Sequence, residues 1–365
     1  MKIDKAKRNY GIDLLRIISM FFVIILHCYG QGGLIYHVTQ GTIQYKFSWM
    51  IEIIAYCAVN IFALISGYVM YDKKSVKLSS YINLWFQVVF YGIIFTILFQ
   101  LIDTNLVVKK DLIISMLPVT NNLYWYFTAY TGLFLLMPFL NKAITNISNG
   151  ALKKYFIIII FGFFIYNTIT DNFKLSLGYS VIWLVLIYIM GAILKKCEIA
   201  KNIKTYKLLI ALFVLYLITF LYKIYAPDFK ILDISITNGF FVNYTSPTVL
   251  GAAILYLLIF SRLNFNNVCE KIIKYAAPSA FAAYLLNNQR FFWNNVMNGL
   301  FINIANRSII IIFIYTFGFS IAFLIMAILV DRVRIRIFKL LRIQKISIKI
   351  QNTIYLLLNK IANYI

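Results

Sequence analysis

The sequence predicts an all-α integral membrane protein, and three observations carry that reading. Of 365 residues, 62% are apolar and only 13% charged, with a mean hydropathy of +0.82; a soluble domain is about half apolar and about a quarter charged. The apolar residues gather in stretches close to the ~20 that cross hydrocarbon as a helix. The net charge of +23 is spread over short clusters between those stretches, as expected of loops beside anionic lipid. With no basic domain to carry it, nucleic-acid binding is excluded as a function class.

Apolar segments fall over 11–30, 50–70, 81–101, 124–141, 155–170, 179–194, 206–225, 246–260, 275–293 and 308–330, which predicts about ten transmembrane helices. The first follows Lys2, Lys5, Lys7 and Arg8 and superficially resembles a signal peptide. It is too long and lacks a small-residue cleavage site, so it reads as a retained first helix. The fifth, sixth, eighth and ninth segments are the shortest for a span. Eight basic residues lie in the odd-numbered connections: Lys46, Lys109, Lys110, Lys174, Lys223, Lys230, Arg290 and Arg307. Arg16 is inside the first segment, and the other 26 of the 35 Lys and Arg lie on the opposite side. The positive-inside rule then places both termini in the cytoplasm, and an error of one helix would scramble the asymmetry. From Asp331 onward Arg332, Arg334, Arg336, Lys339, Arg342 and Lys345 alternate with apolar residues, predicting an amphipathic tail on the inner leaflet. The chain thus divides into a transmembrane domain, 1–330, and a basic amphipathic cytoplasmic tail, 331–365. Cys28, Cys57, Cys197 and Cys269 show no paired or metal-like spacing, so neither a disulfide framework nor a metal site is expected.

Ionisable residues inside a span cost about 2.5–3.5 kcal/mol each on insertion scales and are functional candidates by default. The first segment, GIDLLRIISMFFVIILHCYG, holds Asp13, Arg16 and His27. From Arg16 to His27 is eleven helical steps, about three turns plus ~20°, so both lie on one stripe ~16 Å apart. Asp13, three residues before Arg16, is placed to pair with it. An interfacial ion pair with a snorkelling arginine is the plain alternative for Asp13 and Arg16, and a satisfied core histidine is the plain alternative for His27. Glu52 is a lone acid early in the second segment, near its outer interface. Ser66-Gly67-Tyr68 closes that segment, where the Ser-Gly pair also suits close helix packing. Tyr124, Trp125 and Tyr126 open the fourth, where an aromatic belt accounts for them without function. Tyr284-Leu-Leu-Asn287-Asn288-Gln289-Arg290 is too polar for plain lipid contact.

Taken in order, these stretches resemble the acyltransferase-3 family of bacterial membrane acyltransferases. The resemblance rests on the arginine and histidine with ten residues between them in the first helix, on NIFALISGYVM, on LPVTNNLYWYFTAYTGLFLLMPFLN, on YTSPTVLGAAILYLLIF and on AAYLLNN. It covers nearly the whole chain. It implies O-acylation, usually O-acetylation, of a cell-surface or lipid-linked polysaccharide. Acetyl-CoA would be the donor substrate, with no permanently bound cofactor and no metal. On this reading His27, Arg16 and Asp13 are catalytic; Arg16, Lys73, Lys74, Lys77, Ser66 and Tyr68 bind the donor; Glu52, Trp125, Tyr126, Tyr284, Asn287 and Arg290 bind the acceptor. His27 would serve as general base on a sugar hydroxyl or as acyl-carrying nucleophile. Two departures stand out. Members often carry histidine where this chain has Asn287, and many carry an arginine pair where it has only Lys73, Lys74 and Lys77. No extracytoplasmic hydrolase-like domain is expected, so the membrane part acts alone or hands its acyl group to glycan-synthesis machinery. The rival class is a transporter or flippase for lipid-linked sugars. It would spread polar residues over several spans and show inverted-repeat hydropathy, neither of which is evident.

Overall fold

A computed structural model describes residues 8–73, 76–169, 171–231 and 234–363. The fold is helical apart from its loops and one small antiparallel hairpin, β1 (Phe229–Ile231) with β2 (Ile234–Ile236). Five helical stretches among the described residues are long and apolar enough to cross a bilayer: Tyr10–His37, Ile43–Met70, Leu78–Ile102, Thr205–Tyr225 and Ile309–Leu340. Several of the other apolar segments form shorter or interrupted helices.

The first stretch is α1 (Tyr10–Tyr29), begun by Asn9, whose side chain accepts the Ile12 N–H, and the one-turn α2 (Leu34–His37). The link between them needs glycine. A Cβ on Gly32 would lie 2.2 Å from the Cys28 carbonyl oxygen, and Gly33 has φ +83°. The second stretch is broken into α3 (Ile43–Ala55) and α4 (Ala58–Met70). Then come α5 (Leu78–Ile102), α6 (Lys109–Met116), α7 (Trp125–Asn146) and α8 (Asn149–Ile159), which runs through a π-helical turn into α9 (Tyr166–Ile169). The order continues with α10 (Val181–Lys196), α11 (Thr205–Tyr225), the hairpin, α12 (Pro247–Phe260), α13 (Asn267–Ala276), α14 (Ala280–Asn287) and α15 (Arg290–Phe292). It closes with α16 (Ile309–Leu340) and α17 (Ile343–Ala362). Thr42, Ser148, Ser180, Asn266 and Ser308 cap α3, α8, α10, α13 and α16, each taking a first-turn N–H that the helix cannot satisfy itself.

α1 is the inner helix, packed on α3, α4, α12, α14 and α16. Its most apolar window is 61% buried, against 22% for α11 and α16, so α11 and α16 form the periphery. They turn Phe213, Leu217, Ile314 and Ile325 outward, where lipid is the fitting solvent. α4 and α10 approach almost backbone to backbone. A Cβ on Gly67 would sit 1.9 Å from the Tyr188 carbonyl oxygen, and one on Gly191 would sit 2.1 Å from that of Leu64.

The segment expected as a tail begins inside α16. α16 continues unbroken through Asp331, and both Asp331 and Arg334 are buried. Arg334 gives Asp331 two hydrogen bonds of 2.9 Å, while Tyr91 (2.8 Å) and Gln87 (3.1 Å) of α5 donate to the same carboxylate. Arg342, at φ +55°, then turns the chain into α17. That helix lies along α5, and its Gln351 accepts the Ser79 N–H at 2.8 Å. Ser79 is in the first turn of α5, where donors lack helical partners.

Candidate active site

The residues of one face of α1 open onto a cavity of about 390 Å³. Met20, Val23 and His27 line it, spaced by three and four residues and so stacked on one stripe. Arg16 continues that stripe one turn earlier but lies outside the lining. Across the cavity α3 contributes Glu52, and Tyr56 one turn on. α7 brings Trp125 and Tyr126; α14 brings Tyr284; the stretch after α14 brings Asn288 and Trp293. Residues far apart in sequence thus meet because α1 is the helix around which the others pack.

His27 is fixed on two sides. Its Nδ1–H donates to Oδ1 of Asn287, which can only accept. Its ring stands edge-on to the Trp293 indole, with centroids 4.6 Å apart at 87°. Trp293 is held in turn: Gln31 Nε2 donates to its carbonyl, the Gly299 N–H donates to Gln31 and the Phe301 N–H to Gly32. These bonds tie the stretch after α14 to the end of α1. With Nδ1 engaged, the neutral ring keeps its lone pair on Nε2. The position where the family often has histidine therefore holds an amide in direct contact with His27, an orienting group that does not titrate.

At the other end of the stripe, Asp13 is buried between two cations. Arg16 Nη1 lies 2.6 Å from one carboxylate oxygen and Arg8 Nε 2.5 Å from the other. Arg16 is 30% exposed and keeps donors beyond the one given to Asp13. Arg8 was not among the sequence-stretch candidates inside the span; its position just before the helix is the signal that points to it.

Glu52 is not at the surface. It is 8% exposed, faces the cavity, and its Oε2 has no hydrogen-bond partner among the described residues. Tyr284 lines the cavity, and its hydroxyl takes the Tyr126 N–H (3.3 Å) and Asn288 Nδ2 (3.2 Å).

The remaining candidates stand elsewhere. Arg290 pairs with the buried Asp111 of α6, outside the His27 cavity. Ser66 bonds back to the Phe62 carbonyl at 3.1 Å, and Tyr68 is covered by the Lys195 ammonium at 4.9 Å. Lys73 and Lys77 are exposed; Lys73 lines a second cavity, about 350 Å³, with Lys142 and Asp72 where α4 and α7 end. Lys74 lies outside the described residues. Tyr36, Tyr56, Tyr179, Tyr244 and Trp293 complete the main cavity and were not singled out from sequence. For Tyr56 the signal was present, four residues after Glu52; for Tyr179 and Trp293 no local pattern marks them.

A helical membrane protein that presents an oriented imidazole to an aromatic cavity, on the same stripe as a cation, has the parts of a membrane transferase. Residues 9–332 match the acyltransferase-3 family, described as an acyltransferase domain, and the chain belongs to that family. It is a membrane acyltransferase. No curated protein and no solved structure matches it.

Proposed function

We propose that this protein is an O-acyltransferase of the plasma membrane, transferring an acyl group, acetyl in the simplest case, from acyl-CoA to a hydroxyl of a surface or lipid-linked polysaccharide. The observation that carries the reading is His27: Nδ1 tethered by Asn287, Nε2 left with its lone pair, and the ring on the wall of a cavity large enough for a sugar unit. In this reading ten spans run from α1 to α16, both termini are cytoplasmic, and residues 331–365 form the cytoplasmic tail region. The distribution of Lys and Arg supports that orientation, which sets Arg16 at the inner side and His27 toward the outer.

The donor's phosphates then meet Arg16 with Lys73 and Lys142, arginine being suited to bidentate phosphate contact. The thioester extends along the Arg16–His27 stripe, ~16 Å of helix. His27 Nε2 takes the proton of the acceptor hydroxyl as its oxygen attacks the thioester carbonyl. The C–S bond breaks, and the leaving thiolate receives that proton as free CoA. Asp13 holds Arg16 in place. Ser66 bonds within its own helix, Tyr68 lies under the Lys195 ammonium and Arg290 pairs with Asp111.

The test is surface-polysaccharide acetylation, by mass spectrometry, in strains carrying His27→Ala or Arg16→Ala protein whose membrane insertion is verified. Loss of a general base should lower transfer by about 10²–10⁴-fold, and purified wild-type protein should release CoA from acetyl-CoA only with acceptor present. Normal acetylation in the His27→Ala strain overturns the mechanism. Unchanged glycan mass with lost export would favour transport instead.

A further inference from the structure

Glu52 is the one feature of the cavity that acyl transfer by His27 leaves without a task. Its carboxyl is buried, carries an oxygen with no partner, and has no ion-pair partner among the described residues. The protein does not treat its other deep carboxylates this way. Asp331 receives an arginine, a tyrosine and a glutamine, and Asp111 receives Arg290. A buried carboxyl with an unanswered oxygen is costly to keep, and a cation entering the cavity would answer it with an ion pair.

The surroundings of Glu52 agree. Tyr56, one turn along the same helix, packs on Tyr244 at 5.0 Å. Tyr244 also meets Tyr179 at 5.4 Å, and Trp125 meets Tyr179 at 4.4 Å. All four rings line the cavity with Glu52. The cluster is held in place by Asn60, whose Nδ2 donates to the Tyr244 carbonyl at 2.8 Å. Tyr179 is half exposed and Tyr36, on the same wall, is 78% exposed, so this end of the cavity is the one that opens outward. Aromatic faces around a carboxylate form the arrangement that binds an ammonium, through ring quadrupoles and a direct ion pair together. A neutral pyranose would stack on the rings and hydrogen-bond to the carboxyl, whereas only an ammonium adds an ion pair and a cation–π contact.

We infer that Glu52, with Tyr56, Trp125, Tyr179 and Tyr244, forms a subsite for a protonated amine, so that the acceptor is an amine-bearing sugar such as a hexosamine with a free amino group. This rests on the acyl-transfer reading only in placing the acceptor in this cavity.

The test is binding without donor, so that it can fail while acyl transfer stands. Full-length protein in detergent is titrated with a β-linked glucosamine tetrasaccharide and with its fully N-acetylated counterpart, following fluorescence of Trp125 and Trp293. Wild-type protein should prefer the free amine by at least about tenfold in Kd. Glu52→Gln, which keeps the shape, should abolish that preference, and a thermal midpoint near that of wild type shows the variant folded. Equal binding of the two sugars by wild-type protein, binding of neither, or parallel weakening of both in Glu52→Gln overturns the inference.

Discussion

Asp331 and Glu52 are both buried acids in an apolar helical protein, and their surroundings differ in kind. Asp331 is fully exclusive of solvent and saturated: two bonds from Arg334 and one each from Tyr91 and Gln87 bind α16 to α5. Glu52 has an oxygen with no hydrogen bond among the described residues and looks into a cavity. Burial alone therefore does not separate structure from function here. What separates them is whether the protein itself answers the charge.

That contrast is breakable in stability and in rate. The largest expected effect is on Asp331. Its replacement by alanine strands the Arg334 guanidinium and should cost about 3–5 kcal/mol, read as a lowered thermal midpoint and reduced membrane yield. Replacing Asp331 and Arg334 together by apolar residues should restore most of it. If Asp331→Ala is as stable as wild type, the network is ornamental and the contrast fails. Next comes Asn287→Ala, which removes one orienting hydrogen bond from His27, worth about 1.5–3 kcal/mol or 10–100-fold in kcat. If Asn287 acts by positioning the base, KM should stay near wild type; a change confined to KM would assign it to binding. The smallest effect is Glu52→Gln on stability. With no bond to Oε2 to lose, the thermal midpoint should stay within about 0.5 kcal/mol of wild type or rise. A loss comparable to that of Asp331→Ala would make Glu52 structural.

Much of the candidate site was legible in one helix. The eleven-residue interval from Arg16 to His27 places them on a common line whatever the fold does, because α1 is continuous from Tyr10 to Tyr29. Asn287 drew notice as a polar residue in an apolar run and as a departure from the family, but nothing local could say that it touches His27 across 260 positions. Glu52 read as an interfacial acid because distance along a span says little about depth in a bundle whose second stretch is broken at Tyr56 and Cys57. The Ser66-Gly67 pair was also read as suited to close helix packing, and Gly67 does serve the close crossing of α4 and α10.

The division has a physical cause. Composition, hydropathy and helical period are properties of short stretches, and in a bilayer they are decisive, because every backbone group must be satisfied within its own helix. They established an apolar helical protein and the polar stripe of α1, while the ordered motifs carried the family resemblance. Which faces meet depends on the packing of helices distant in the chain. Only the tertiary structure set Asn287 and Trp293 on His27, gathered Tyr56, Trp125, Tyr179 and Tyr244 into one cavity with Glu52, and placed Asp331 in a buried network.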